Sequence, residues 1–151
     1  MRVIIYLMLL LAATVWTLLR GTLPERRLAS LLLAGNVLTG LLLIAGGGAN
    51  GYAHALITYF ALDAALATAL VLLAVRSPSL LTIAVAAFQI NGTLAHLVKL
   101  VAPATFPFSY AVLLKIWAWP MIASLLVARF APAMSLELKA KHWPRFFTPA
   151  K

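Results

Sequence analysis

One carboxylate, Asp63, lies in the middle of an apolar run from about Leu56 to Val75. An ionised group placed there costs about 2.5–3.5 kcal/mol on membrane-insertion scales, so it needs a partner, a water-filled surrounding or a bound proton. The other acids, Glu25 and Glu137, are predicted at the opposite surface. Catalysis by a general acid and a general base that are both carboxylates is therefore excluded within one chain.

Lys115 is the cation that the spacing predicts closest to Asp63. Each of the two residues lies about seven residues from the same end of its apolar segment, which is roughly 10 Å at the helical rise of 1.5 Å per residue. The ammonium group could instead extend outward along its own apolar stem. Three interpretations of Asp63 stay open: a structural pair inside a bundle, a contact with a partner subunit, and a proton or cation site.

Other polar side chains are predicted at a similar depth, which would place them on a common interior away from lipid. On one segment Gln89, Thr93 and His96 share a helical face by their spacing. This stripe either lines a water-accessible groove or forms interhelical hydrogen bonds averaging about 0.6 kcal/mol, with Gly92 allowing close approach. We call the whole predicted set the polar layer: Asn36, Asp63, Gln89, Asn91, Thr93, His96 and Lys115.

The sequence contains no nucleophile motif and no phosphate-binding loop, and it has no cysteine. Two histidines, His54 and His96, are predicted near one surface, but two ligands without a third do not define a metal site. We therefore predict no enzyme activity, no metal and no cofactor. One alternative hypothesis is a membrane enzyme that uses His96 with a serine or with Asp63.

The composition is that of a membrane protein. Of 151 residues, 64% are hydrophobic and 10% are charged, whereas soluble domains average about 25% charged residues. Five apolar segments approach the roughly 20 residues that a spanning helix needs. The prediction is an all-α bundle of about five transmembrane helices within residues 1–130, at about 3–19, 28–45, 56–75, 80–98 and 108–128.

The connections contain residues that favour turns. Residues 20–27 are interpreted as a polar turn, and residues 46–51 are rich in glycine. Ser77-Pro78-Ser79 predicts a tight hairpin with Ser77 as the N-cap and Pro78 at the first helical position. Pro103 and Pro107 bracket another short connection.

Basic residues predict the orientation, with the N-terminus outside and the C-terminus in the cytoplasm. The outer side keeps two, Arg2 and Lys99, and nine fall on the cytoplasmic side: Arg20, Arg26, Arg27, Arg76, Arg129, Lys139, Lys141, Arg145 and Lys151. In a four-helix alternative the first segment lies flat or the second fails to insert. The basic residues would then no longer be concentrated on one side of the membrane. Because the net charge of +9 follows topology, with no basic face or RNA motif, nucleic acid is not predicted as a partner.

Residues 131–151 form a basic, aromatic tail that is predicted at the cytoplasmic membrane surface. Each basic residue there gains about 1 kcal/mol from anionic lipid headgroups. A docking strip for another protein is the alternative. The predicted anchoring residues are Lys139, Lys141, Trp143, Arg145, Phe146 and Phe147.

In composition the chain is similar to small hydrophobic subunits of ion-translocating complexes. Small multidrug carriers have a similar length, but their essential carboxylate lies in the first helix, where this chain has none. We therefore predict a small non-enzymatic subunit of a larger membrane complex, in a bacterial inner membrane. The alternative is a small homo-oligomeric transporter or pore, coupled to protons or cations through Asp63.

Overall fold

The computed structural model describes residues 2–45, 56–102 and 107–130, and within these ranges the chain forms five α-helices and no strand. The predicted all-α class is confirmed. Three helices, α2 to α4, are long and apolar enough to cross a membrane, and shorter apolar stretches cover Ile4–Arg20 and Ile116–Ala128. The helices are α1 (Arg2–Arg20), α2 (Leu23–Ala45), α3 (Leu56–Arg76), α4 (Leu80–Val101) and α5 (Pro107–Phe130).

The helices form a closed bundle. Each packs against the next along the chain, and α5 returns to contact α1. Consecutive helices are antiparallel: Gly35 and Leu66, which contact each other, lie equally far from the connection between α2 and α3. The bundle thus has a turn end, with the short connections at residues 21–22 and 77–79, and a loop end, with those at 46–55 and 102–106.

The first connection is much shorter than predicted. The prediction of a turn over residues 20–27 is wrong, because α2 begins at Leu23. The backbone N–H of Thr22 donates to Glu25 Oε2 at 2.6 Å, which is half of a capping box. The buried Glu25 side chain therefore starts the helix one turn earlier than hydropathy suggests.

Replacing Glu25 by alanine is expected to lower the free energy of unfolding by about 1 kcal/mol, because the Thr22 N–H loses its acceptor. Glu25→Gln keeps an acceptor oxygen and should retain most of the stability. Reversible unfolding in mixed lipid and SDS micelles measures both variants. Equal losses in both would show that the negative charge, and not the cap, is what matters.

At the second short connection α4 begins at Leu80, as in the predicted segment 80–98, but the capping residue differs from the prediction. Ser77 as the N-cap is wrong: the cap is Ser79, whose Oγ accepts from the Thr82 N–H at 3.1 Å while the Ser79 N–H donates to Thr82 Oγ1 at 3.0 Å. A capping box needs a side-chain acceptor three positions after the cap. Three positions after Ser79 is Thr82, whereas three positions after Ser77 is Leu80, which has no side-chain acceptor.

The apolar core lies in the half of the bundle next to the turn end. It contains side chains from all five helices, and several are almost completely buried. Leu28 and Leu70 have 0% of their surface exposed, as does Val85. We call the following set the apolar core: Leu10, Ala13, Leu28, Leu32, Leu70, Leu73, Leu81, Val85, Ala86, Ile122, Leu125 and Ala128.

At Gly35, α2 packs closely against the Leu66 side chain of α3. A Cβ built on Gly35 would lie 2.6 Å from Leu66 Cδ2, whereas one built on Gly40 of the same helix meets nothing within 4 Å. Alanine favours a helix at both positions, but at Gly35 the end of the flexible Leu66 side chain must move aside. Gly35→Ala is therefore expected to be less stabilising than Gly40→Ala by up to about 1 kcal/mol. Unfolding of the two variants side by side tests this difference, and an equal effect would contradict it.

Candidate functional site

The clearest polar contact between helices joins α3 to α4. His96 Nε2 lies 3.1 Å from Asp63 Oδ2. The His96 side chain is 6% exposed and that of Asp63 is 22% exposed. The imidazole is therefore almost fully buried, and the carboxylate is partly exposed. In this contact a protonated imidazole nitrogen donates to the carboxylate, which gives Asp63 a partner inside the bundle.

This partner is not the one that the depth count favoured. Lys115 belongs to α5, but its side chain lies outside the part of the chain that the structure describes, so the Asp63–Lys115 pair stays a prediction. A sequence signal for the observed pair existed. Asp63 and His96 lie about 10 and 8 Å from the loop end by helical rise, on consecutive antiparallel helices.

A second polar contact joins α1 to α2 in the same half of the bundle. The Tyr6 hydroxyl donates to Asn36 Oδ1 at 3.1 Å, and Asn36 Nδ2 donates to the Leu32 carbonyl at 2.9 Å. The hydroxyl of Tyr6 also lies within electrostatic range of Asp63. Tyr6 was absent from the predicted polar layer, because a tyrosine in an apolar helix does not by itself indicate which neighbour its hydroxyl contacts.

The remaining polar layer residues of α4 differ in their surroundings. Gln89 is buried, and its backbone carbonyl accepts from Thr93 Oγ1 at 3.0 Å. Asn91 is more exposed and donates to the Ala87 carbonyl of its own helix at 2.9 Å. The Thr93 hydroxyl and the Asn91 amide therefore bond to carbonyls of α4 itself, whereas His96 contacts a neighbouring helix.

Gly92 does not mark a close helix contact among the described side chains. It is buried, yet a Cβ built on it would meet none of their atoms within 4 Å. The α5 side chains at 107–111 and 113–115 lie outside the described part, so the close approach at this glycine stays a prediction. Gly35 has that role between α2 and α3.

Two tryptophans of α5 contact other helices. The Trp117 ring stacks on Phe88 of α4 with centroids 6.3 Å apart, and the Trp119 ring packs edge-on against Tyr6 of α1 at 5.7 Å. Trp119 nevertheless keeps 40% of its surface exposed. Tyr6 thereby contacts both α2 and α5 close to the Asp63–His96 pair.

Among the described residues, no group of three or more His, Asp or Glu side chains is arranged to hold a metal. His54 lies outside the described ranges. So do the predicted membrane anchors of the tail, Lys139, Lys141, Trp143, Arg145, Phe146 and Phe147. Their roles stay predictions.

Searches against protein-family models, curated proteins and solved structures found no match. The described residues define the class: an all-helical bundle in which three helices are long and apolar enough to cross a membrane.

Proposed function

We propose that all five helices cross a bacterial cytoplasmic membrane, with the loop end outside and the turn end in the cytoplasm. The distribution of cations supports this orientation. The turn end carries Arg20, Arg26, Arg27 and Arg76, whereas the described part of the loop end carries Arg2 and Lys99. The 19 residues of α1 and the 24 of α5 are long enough to span a core of about 30 Å.

Within that membrane the protein acts as a non-enzymatic subunit of a larger complex. The observation that carries this proposal is Trp119, which is 40% exposed although it lies about 18 Å along α5 by helical rise, near mid-membrane. Exposed tryptophan normally lies at the membrane–water interface. At this depth a partner helix is a better contact for the indole ring, and Ile116 and Val127 extend the exposed surface along the same helix.

The test is site-specific photocrosslinking in native membranes, with the crosslinker at Val127, which is 45% exposed, or at Leu72 of α3, which is 48% exposed. We expect one discrete adduct from position 127 that Trp119→Ala abolishes, and only diffuse lipid adducts from position 72. A protein that is monodisperse and alone after mild solubilisation, without an adduct from position 127, would contradict the proposal.

The second candidate function is a small homo-oligomeric transporter or pore, favoured by the titratable pair Asp63–His96 inside the membrane-embedded bundle. Flux into proteoliposomes tests it. Asp63→Asn should abolish uptake driven by a pH gradient. Glu25→Gln, at the turn end of the bundle, is the control. Unchanged flux in Asp63→Asn would eliminate this candidate.

A further inference from the structure

We propose that Arg27 and Arg76 bind the phosphate headgroup of an anionic phospholipid, in the groove where α2 and α3 meet at the turn end. The proposal rests on the membrane placement given above and does not depend on a partner subunit. The site is separate from the basic tail at residues 131–151, which is predicted to anchor at the same membrane surface.

Both arginines lie on the rows of side chains that join the two helices. Gly35 of α2 contacts Leu66 of α3, and residues three or four apart share one face of a helix. Arg27 lies two steps of four residues before Gly35, and Arg76 lies three steps of three or four residues after Leu66. The two arginines therefore flank the same groove.

The two arginines also lie at nearly the same height along the bundle. Because α2 and α3 are antiparallel, positions equally far from the contact between Gly35 and Leu66 lie side by side. By helical rise Arg27 is about 12 Å and Arg76 about 15 Å from that contact, both toward the turn end. Side chains as long as these bridge the difference in height, and a phosphate group can accept hydrogen bonds from both guanidinium groups.

Within the described ranges, no carboxylate pairs with Arg27 or Arg76, and both arginines are exposed. These ranges contain two acids, and Asp63 pairs with an imidazole in the other half of the bundle. Glu25 lies at the turn end, but it is 4% exposed and its Oε2 accepts the Thr22 N–H. An anion from outside the bundle is therefore the partner that complements the two guanidinium groups.

A phospholipid fits this site because exposed apolar side chains continue the groove toward the membrane centre. Leu72 lies one turn from Arg76 on the same face of α3 and is 48% exposed. Leu38, on the Gly35 side of α2, is 47% exposed. Acyl chains cover such surface, whereas a free phosphate leaves it uncovered. In the proposed orientation the turn end meets the cytoplasmic leaflet, whose anionic lipids attract basic residues.

Native mass spectrometry of the full chain, released from micelles that contain graded phosphatidylglycerol or phosphatidylcholine, tests the site. The wild-type chain should bind one phosphatidylglycerol more than about tenfold more tightly than phosphatidylcholine. Arg27→Gln and Arg76→Gln should each weaken phosphatidylglycerol binding about fivefold, which corresponds to the roughly 1 kcal/mol that one basic residue gains from anionic lipid. Binding of phosphatidylcholine should not change.

Arg26→Gln is the charge-matched control at the same end. Arg26 Nε donates to the Gly21 carbonyl at 2.9 Å, on the side of α2 that faces α1, so its loss should weaken binding by less than about twofold. The tail cations are present in every variant and do not affect the comparison. Equal affinity of the wild-type chain for the two lipids, or equal losses in Arg26→Gln and Arg27→Gln, would overturn the proposal.

Two further measurements separate the lipid site from its alternatives. sn-Glycerol 3-phosphate, which has the phosphate without acyl chains, should not displace phosphatidylglycerol, and displacement would show a site for soluble phosphate instead. Extraction with alkaline carbonate tests the membrane placement by itself. A chain that stays in the membrane but has no preference for phosphatidylglycerol would overturn the lipid site alone, whereas a chain that carbonate releases would contradict the membrane placement.

Discussion

Replacing His96 by alanine is expected to lower the free energy of unfolding by about 3 kcal/mol. The Asp63 carboxylate would lose the imidazole that lies 3.1 Å away, and an ion left alone inside a protein is strongly destabilising. Reversible unfolding in mixed lipid and SDS micelles gives the value. Thr93→Ala on the same helix is the control, since that hydroxyl bonds to the Gln89 carbonyl of α4 itself and its loss should cost well under 1 kcal/mol.

A double-mutant cycle isolates the interaction between the two side chains. Once Asp63 is alanine as well, removal of His96 should cost much less, and the coupling should exceed about 1 kcal/mol. Removing both partners is milder than removing one, because no buried charge is left uncompensated. Strictly additive losses would mean that the contact between Nε2 and Oδ2 contributes nothing to stability.

A second large effect is expected in the apolar core. Leu70→Ala removes a side chain with 0% of its surface exposed, and should lower the free energy of unfolding by about 2–4 kcal/mol through the cavity it leaves. The matched control is Leu72→Ala, two residues along the same helix and 48% exposed. Its effect should stay within about 0.5 kcal/mol, as for other exposed positions.

The same unfolding assay decides this comparison. If Leu70→Ala and Leu72→Ala were equally mild, the interior near the turn end would be loosely packed.

The helices could be predicted from sequence because each is a long apolar run bounded by glycine, proline or charge. The predicted segment 56–75 and the observed Leu56–Arg76 nearly coincide. The errors lie at the start of α2, at the N-cap of α4 and at the end of α4, which reaches Val101. At the first two places, Glu25 and Thr82 accept hydrogen bonds from the backbone N–H groups of Thr22 and Ser79, and average hydropathy does not register such local contacts.

The site was predicted less completely than the helices. Depth along a helix follows from residue counting, which placed Asp63 level with Lys115 and put His96 nearer the outer end of its helix. Contact also requires the rotation of each helix about its axis, and that depends on packing between helices that have little apolar asymmetry. The count therefore favoured Lys115 over His96, and it gave no reason to join Tyr6 to Asn36.

The two short connections have a mechanical consequence. The two-residue link at 21–22 and the three-residue link at 77–79 join α1 to α2 and α3 to α4 at the same end of the bundle, where the apolar core is also found. Helix pairs fastened in this way resist separation at the fastened end, so relative movement has its greatest amplitude at the opposite tips. Asp63 and His96 lie close to those tips. A change in the charge of this pair therefore acts at the end of the bundle where the short connections restrain the helix pairs least.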